Sequence, residues 1–175
     1  TNLALALQDK YSLQVLDCDV EEPNAHLFLK PDFNFEKEVT LPVPEVDNGK
    51  CDGCGKCSQF CAYNAIAVAG KKVIVFSEMC HGCGGCILIC PPRALTERSR
   101  RIGIVAGGKA GQIGFAHGRL DVGEPLAPPL VEKVKEYSHG KEVVLIDAPP
   151  GTSCPVVAAV KDTDFCLLVT ESTPF

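Results

Sequence analysis

The middle of the chain contains two similar runs, CDGCGKCSQFC at residues 51–61 and CHGCGGCILICP at residues 80–91. In each run the first three cysteines are three residues apart, and the fourth follows four residues later. Only 18 residues separate the runs, so the middle of the chain is a duplicated unit. The duplicated unit contains eight of the chain's 11 cysteines: Cys51, Cys54, Cys57, Cys61, Cys80, Cys83, Cys86 and Cys90.

This spacing is that of iron–sulfur ligand runs, and the second run ends in the expected proline, Pro91. Three closely spaced cysteines wrap one set of iron sites, whereas the fourth thiolate has to come from further away to close the cage. Glycines between the cysteines, such as Gly53 and Gly82, permit a tight backbone and leave amides free to point at sulfur. The spacing therefore predicts two [4Fe–4S] clusters.

The middle segment resembles bacterial-type two-cluster ferredoxins. That resemblance implies that the fourth cysteine of each run serves the other cluster. One ligand set is then Cys51, Cys54, Cys57 and Cys90, and the other is Cys80, Cys83, Cys86 and Cys61. Zinc and a disulfide scaffold are the weaker alternatives, because structural zinc usually takes two separated ligand pairs and disulfides are rare in reducing compartments.

The composition, with 46% hydrophobic and 22% charged residues, indicates a globular chain. A net charge of −5 argues against a nucleic-acid partner. The apolar stretch Leu3–Leu7 is too short for a secretion signal, and no apolar run approaches the roughly 18 residues of a membrane span. A cytoplasmic protein is expected. Because the chain starts at Thr1 and stops directly after an apolar run, we expect both ends to be cut.

The flanks, residues 1–45 and 99–175, predict one discontinuous α/β domain into which residues 46–98 are inserted. Buried parallel strands are predicted at residues 13–17 and 102–106 and, as continuous apolar runs, at 143–146 and 166–169. A further short strand is predicted at 73–76 within the insert.

Helical spacing predicts a helix through Leu3, Leu7 and Tyr11. A second helix is predicted over residues 130–137, behind two prolines. The proline-rich stretch 23–44 predicts extended chain and turns that lead towards the insert.

Three stretches of the flanks, residues 1–7, 15–24 and 147–152, resemble the MinD/Mrp group of deviant P-loop ATPases. The order of parts is more closely similar to MinD-superfamily ATPases that contain an inserted ferredoxin domain. The resemblance implies an α/β fold with a parallel-sheet P-loop-type domain, here incomplete, and an inserted two-cluster ferredoxin domain. It also implies Mg-ATP as a cofactor and a homodimer with nucleotide between the protomers.

The resemblance implies roles for four residues at the ends of two strands. Asp17 and Asp19 would organise the Mg²⁺ waters and the attacking water, and Asp19 would position that water. Asp147 would hold the Mg²⁺ shell, and the turn at Gly151 would move with the γ-phosphate. Without the resemblance, acidic residues at strand ends are ordinary turn formers.

The chain departs from this family because it contains no G-x4-G-K-[ST] motif, whose amides, lysine and hydroxyl bind phosphates and Mg²⁺. The nearest stretch, residues 103–110, has alanine at the hydroxyl position and is interpreted as a strand and glycine-rich loop. The family's P-loop would lie just before Thr1. An ATPase is therefore expected of the full-length protein and not of this chain alone.

The other cysteines, Cys18, Cys154 and Cys166, lie in or beside apolar strands and are expected to be buried and structural. His81 is a candidate hydrogen-bond donor to a cluster sulfur or a solvated loop residue. The basic run 98–101 is a solvated boundary or a docking patch for an acidic redox partner.

Three functions follow from these features. The first, which we favour, couples ATP binding and hydrolysis to electron transfer, or to iron–sulfur cluster handling, with an unidentified acceptor protein. The second is a ferredoxin-type electron carrier without ATPase activity. The third is an iron–sulfur cluster carrier, which is weakened because two complete four-cysteine sets describe closed cages rather than a labile site.

Overall fold

The computed structural model describes residues 1–138 and 140–170. The helices are α1 (Asn2–Leu7), α2 (Ala25–Leu29), α3 (Lys56–Phe60), α4 (Gly85–Leu88), α5 (Pro128–Lys135) and α6 (Cys154–Val160), with a short 3₁₀ helix at Ser77–Met79. The strands are β1 (Leu13–Asp17), β2 (Asp32–Val46), β3 (Ile66–Ala69), β4 (Lys72–Val75), β5 (Leu95–Ala110), β6 (Ile113–Leu120) and β7 (Val143–Asp147).

Five strands form the main sheet in the order β2-β5-β6-β1-β7. The last three are parallel to one another, whereas β5 is antiparallel to both β2 and β6. The sheet is therefore mixed, and the prediction of a parallel sheet was wrong for its β2–β5–β6 half. The physical reason is the tight turn between Ala110 and Ile113, because a two-residue connection joins only antiparallel strands.

Helices cover both faces of the parallel part of this sheet. One core unites residues of β1 and β6 with α5 and α6, and the other unites them with α1 and α2. All five residues of β1 are buried, which explains the apolar residues Leu13, Val15 and Leu16, and the polar Gln14 and Asp17 are buried with them. The sequence prediction of an α/β fold is confirmed, with a sheet that is mixed rather than wholly parallel.

β2 and β5 form a long antiparallel ribbon, from the pair Asp32 and Lys109 to the pair Val46 and Leu95. β6 ends at Leu120, opposite Gly103, so residues 95–102 of β5 extend beyond it. At about 3.3 Å per residue, this extension is about 25 Å long. The cysteine-rich segment lies at its far end, where β3 pairs with β4 and Ile66, Cys86 and Leu95 form a third core.

Three helix and strand predictions need correction. The first helix ends at Leu7, so Tyr11 lies beyond it. Residues 25–29 form α2 inside the stretch predicted to be extended, because the carboxylate of Asp17 accepts hydrogen bonds from the first backbone amides of that helix. The expected glycine-rich loop within residues 103–110 is the second half of β5, where Gly107 and Gly108 lie against Phe35 and Asp32 of β2.

The apolar stretch 166–169 was also predicted as a strand, but it has no strand partner in the described part of the chain. Leu167, Leu168 and Val169 are 75–82% exposed. An apolar run cannot form a strand without a neighbour that pairs with its backbone groups. Within residues 1–138 and 140–170, no helix is long and apolar enough to cross a bilayer.

Candidate metal centre

The eight clustered cysteines surround two cavities, four to each. The lining of the first includes Cys51, Cys54, Cys57 and Cys90. The lining of the second includes Cys61, Cys80, Cys83 and Cys86. The structure thus brings the cysteines together in the same two sets that the sequence analysis derived from the ferredoxin resemblance, with the fourth cysteine of each run in the other cavity.

The two halves of this segment are structural repeats offset by 29 residues. The amide of Ala65 donates a hydrogen bond to Sγ of Cys61 at 3.3 Å, and the amide of Ala94 donates one to Sγ of Cys90, also at 3.3 Å. Gly53 and its equivalent Gly82 both have a left-handed backbone, with φ of +74° and +70°. The duplicated sequence is therefore a duplicated geometry, in which each fourth sulfur receives an amide hydrogen bond.

The arrangement of the sulfur donors distinguishes a cluster site from a site for a single metal ion. In the described residues, no three His, Cys, Asp or Glu side chains converge on the position of a single metal ion. Sulfur donors spread around an enclosed space suit a cluster better than the tight tetrahedron of structural zinc.

Burial sets the protonation of the innermost ligands. It raises the pKa of the Cys86 thiol to about 11 and that of the Cys57 thiol to a smaller extent. Because bound metal deprotonates coordinating thiols, iron has to displace these protons when it binds.

The first cysteine loop is organised by Asp52, which accepts a hydrogen bond from the amide of Cys54 at 3.0 Å. That hydrogen bond lowers the pKa of Asp52.

The second cavity is lined by residues that the sequence did not reveal. Pro42 and Pro44 of β2 contribute to its wall, as does Phe60. The rings of Tyr63 and His81 also line it and stack with centroids 3.6 Å apart. His81 is therefore both exposed and part of the cavity wall. The only signal in the sequence that could have identified Tyr63 as a lining residue was its position two residues after Cys61.

A second group of predicted site residues lies at the carboxyl ends of β1 and β7. Asp17 and Asp147 are paired in register, and the amide of Cys18 donates a hydrogen bond to the carbonyl of Asp147 at 2.8 Å. Asp19 follows β1 and is partly buried. Gly151, with φ of +92°, lies in the turn between β7 and α6. The carboxyl edge of a parallel sheet is where α/β proteins usually bind ligands.

Asp17 is buried and shapes this edge. Its carboxylate accepts hydrogen bonds from the amides of Asp19, Asn24 and Ala25, at 3.0–3.2 Å. Desolvation raises its pKa to about 6 against the opposing effect of the Ala25 hydrogen bond, and the charge of Asp147 adds to the rise. The pKa of Asp19 is also raised, mainly by desolvation. Three carboxyl groups thus lie close together, and the charges of Asp147 and Asp19 both raise the pKa of Asp17.

The predictions for the other three cysteines and for the basic run 98–101 had different outcomes. Cys18 is buried as expected, whereas Cys154 and Cys166 are exposed, because neither lies in a strand with a covered face. The basic run 98–101 is no simple solvated boundary. Arg100 forms an ion pair with Glu124, and Arg101 forms ion pairs with Glu38 and Asp121.

Comparison with known proteins agrees with the cysteine geometry. Residues 44–91 match the family described as 4Fe-4S dicluster domain. Two uncharacterized proteins of Methanocaldococcus jannaschii are similar along 99% of this chain. MJ0578 is 36% identical and MJ0579 is 30% identical. The chain spans 62% of the first and 64% of the second, less than two thirds of each. The chain therefore contains a 4Fe-4S dicluster ferredoxin domain, the domain type that binds iron–sulfur clusters for electron transfer.

Proposed function

We propose that this chain belongs to a MinD-like ATPase that couples ATP binding and hydrolysis to electron transfer or to iron–sulfur cluster handling. Residues 46–98 are its ferredoxin domain, and residues 1–45 and 99–175 belong to its ATPase domain. When bound, [4Fe–4S] clusters accept and release single electrons. Each cavity holds one cluster through its four cysteines, and the amides of Ala65 and Ala94 stabilise the fourth thiolate of each set.

One observation carries the proposal. The ferredoxin segment extends from the same edge of the sheet at which Asp17 and Asp147 lie. β5 passes the end of β6 at Gly103 and continues to Leu95, and β2 accompanies it. A ligand bound at the carboxyl edge would therefore lie on the side of the sheet that the ferredoxin segment occupies. The connection between the two is a continuous hydrogen-bonded ribbon rather than a loose linker.

The acidic residues at this edge support the nucleotide role that the family resemblance implies. Asp147, at the exposed end of β7, would hold the Mg²⁺ shell, and Asp19 would position the attacking water. Asp17 would act together with Asp19 and Asp147. It would also keep the loop after β1 in place through the hydrogen bonds that its carboxylate accepts from backbone amides. Gly151 would let the following turn respond to the γ-phosphate.

The sheet also leaves room for the P-loop strand that the resemblance implies. β7 is the last strand in the order, so one of its edges is unpaired within the described residues. The exposed apolar stretch 166–169 comes after α6. It lacks a strand partner within the described residues. We infer that the P-loop strand of the full-length protein pairs with β7 and covers this stretch, and that ATP binds between two protomers.

A ferredoxin-type electron carrier without ATPase activity is the second candidate. It is supported by the two four-cysteine cavities and by the match of residues 44–91 to the 4Fe-4S dicluster domain. The third, a cluster carrier, would need to release a cluster from one of the two four-cysteine cavities.

Metal analysis combined with electron paramagnetic resonance of the dithionite-reduced protein, extended upstream of Thr1, separates these functions. About eight iron and eight sulfide per chain, with a spectrum that Mg-ATP alters, would support the ATPase proposal. The same clusters, indifferent to Mg-ATP, would leave the electron carrier. Zinc without sulfide would overturn the ligand assignment, and transfer of clusters to an apo-acceptor under mild chelation would favour the cluster carrier.

A further inference from the structure

The two cysteine cavities are equivalent by repeat but have different surroundings. The second is covered on several sides. Pro42 and Pro44 of the ribbon line it, and the ring of Phe60 lies directly against Gly85. The Tyr63–His81 ring stack forms another part of its wall. The second cavity therefore faces the ribbon and the aromatic side chains.

The first cavity has no aromatic residue and no residue of β2 in its lining. Its wall comes from residues 51–57, Val73, residues 90–92, Ala94 and Leu95. Lys56 occupies the repeat position at which the second half has Gly85, and the exposed side chain of Lys56 is part of the lining. Under the ring of Phe60 there is no space for such a side chain at Gly85.

A turn of the β3–β4 hairpin brings two more lysines to the first cavity. A Cβ atom at Gly53 would lie 2.7 Å from the carbonyl oxygen of Gly70 and 2.9 Å from Cα of Lys71. The first cysteine loop is therefore in direct contact with the turn at Gly70, and Lys71 and Lys72 follow that turn. Both lysines are exposed.

We name Lys50, Lys56, Lys71 and Lys72 the lysine face; all four are exposed. Two acidic residues, Asp47 and Asp52, lie next to it. Asp47 forms an ion pair with Lys50 at 3.0 Å, and Asp52 is occupied by its hydrogen bond from the amide of Cys54. The lining of the second cavity has no such positive charge, because it contains Glu97 and no lysine. Although the whole chain is acidic at −5, residues 46–98 contain six basic and four acidic side chains.

We propose that the lysine face docks a small acidic electron-carrier protein at the first cavity. The proposal rests on the iron–sulfur part of the proposed function and is independent of ATP. A positive face on an acidic protein attracts negatively charged partners and orients them, and this steering weakens as salt screens it. The partner meets the first cavity, beside which the lysines lie, whereas the second cavity faces the ribbon.

The test is calorimetric titration of the cluster-loaded protein with oxidised flavodoxin, an acidic electron carrier, at low and at physiological salt. The triple variant K56E/K71E/K72E should weaken binding by about tenfold or more at low salt, because it reverses the charge of the face. The matched control, K10E/K30E/K161E, makes the same change in net charge at three exposed lysines of the flanks and should alter binding by no more than about twofold.

Three outcomes would overturn this inference: no flavodoxin binding, equal loss in the two triple variants, or binding that is insensitive to salt. Tighter binding of a single-stranded oligonucleotide, lost in K56E/K71E/K72E, would instead assign the face to nucleic acid. Iron and sulfide content is measured on all three proteins. Iron missing from the unaltered protein contradicts the proposed function, whereas full iron without flavodoxin binding contradicts the docking proposal alone.

Discussion

Asp17 is a buried carboxyl group, and its burial disfavours the charged form. Its pKa of about 6 lies above the ordinary value of 3.8, so the folded chain binds a proton that the unfolded chain releases between these values. The stability associated with the protonated group is fully present below pH 3.8 and is lost as the pH rises through about 6. At roughly 1.4 kcal/mol per pKa unit, the loss is about 3 kcal/mol at most.

The variant Asp17→Asn should therefore flatten the pH dependence of stability. Between pH 4 and pH 7 the unaltered protein should lose about 2 kcal/mol more of its free energy of unfolding than the variant does. Urea unfolding followed by circular dichroism measures this difference, since the chain has no Trp. Asp9→Asn, at an exposed position, is the control. Parallel pH profiles for Asp17→Asn and the unaltered protein would contradict the burial argument.

The cysteine sets make a separate prediction at the scale of single atoms. Cys54→Ser should remove about half of the bound iron, because one of the two sets then has three thiolates. Cys154→Ser is the matched control, since Cys154 is exposed at the start of α6 and lines neither cavity. Anaerobic iron and sulfide analysis reads out both variants. Unchanged iron in Cys54→Ser would remove this residue from the ligand set.

At the scale of elements, the ribbon of β2 and β5 is fixed to the rest of the molecule where it leaves the sheet. The amide of Asp121 donates a hydrogen bond to the carbonyl of Ile102 at 2.9 Å. Close by, Arg100 and Glu124 form an ion pair whose side chains are only 14% and 5% exposed. Glu124 also accepts a hydrogen bond from the amide of Leu126, which ties the loop after β6 to the ribbon.

Arg100→Met should destabilise the protein by about 3 kcal/mol, because it leaves the carboxylate of Glu124 buried without its cation. The double variant R100M/E124L should recover part of that loss, since both charges are then removed. Arg101→Met is the control, because its ion pairs are exposed and worth about 1 kcal/mol or less. Urea unfolding measures all three. Equal losses for Arg100→Met and Arg101→Met would show that the ion pair does not anchor the ribbon.

The elements that sequence predicted best are those with one strong local cause. β1 is buried along its whole length, β7 is apolar up to Asp147, and α5 begins with a pair of prolines. β6 was missed because Gly114, His117 and Gly118 interrupt its apolar pattern. Gly118 is required by packing, since a Cβ there would lie 2.8 Å from Val134 of α5. Such tertiary requirements leave no periodic pattern in the sequence.

The candidate metal site was more predictable than the fold around it. Fixed spacing within each cysteine run identified three ligands of each set, because the geometry of that loop is local, whereas the fourth ligand of each set was implied by the resemblance to two-cluster ferredoxins. The lining of the second cavity was not predictable, because Pro42 and Phe60 reach it from different parts of the chain. The difference between the linings of the two cavities, on which the docking proposal depends, is visible only in three dimensions.

At the scale of the whole molecule, the acidic residues at the ends of β1 and β7 and the cysteine cavities lie beyond the same edge of the main sheet. The carboxyl edge presents Asp19 and Asp147, and the ribbon extends from that edge to the cysteine cavities. If the edge binds Mg-ATP in the full-length protein, changes in the loop after β1 reach the ribbon over a short stretch of chain, since α2 ends at Leu29 and β2 begins at Asp32. This connection gives the proposed coupling a physical route.

Asp19→Asn in the protein extended upstream of Thr1 tests that route at its starting point. The substitution keeps the shape of the side chain but removes the charge proposed to position the attacking water, so ATP turnover should fall by about 10²-fold or more. Cluster absorption should be unchanged, because Asp19 lies far along the chain from both cavities and lines neither. Asp9→Asn should leave both properties intact. Unchanged turnover in Asp19→Asn would remove Asp19 from the mechanism, whereas loss of the clusters together with turnover would mean that the residue maintains the fold instead.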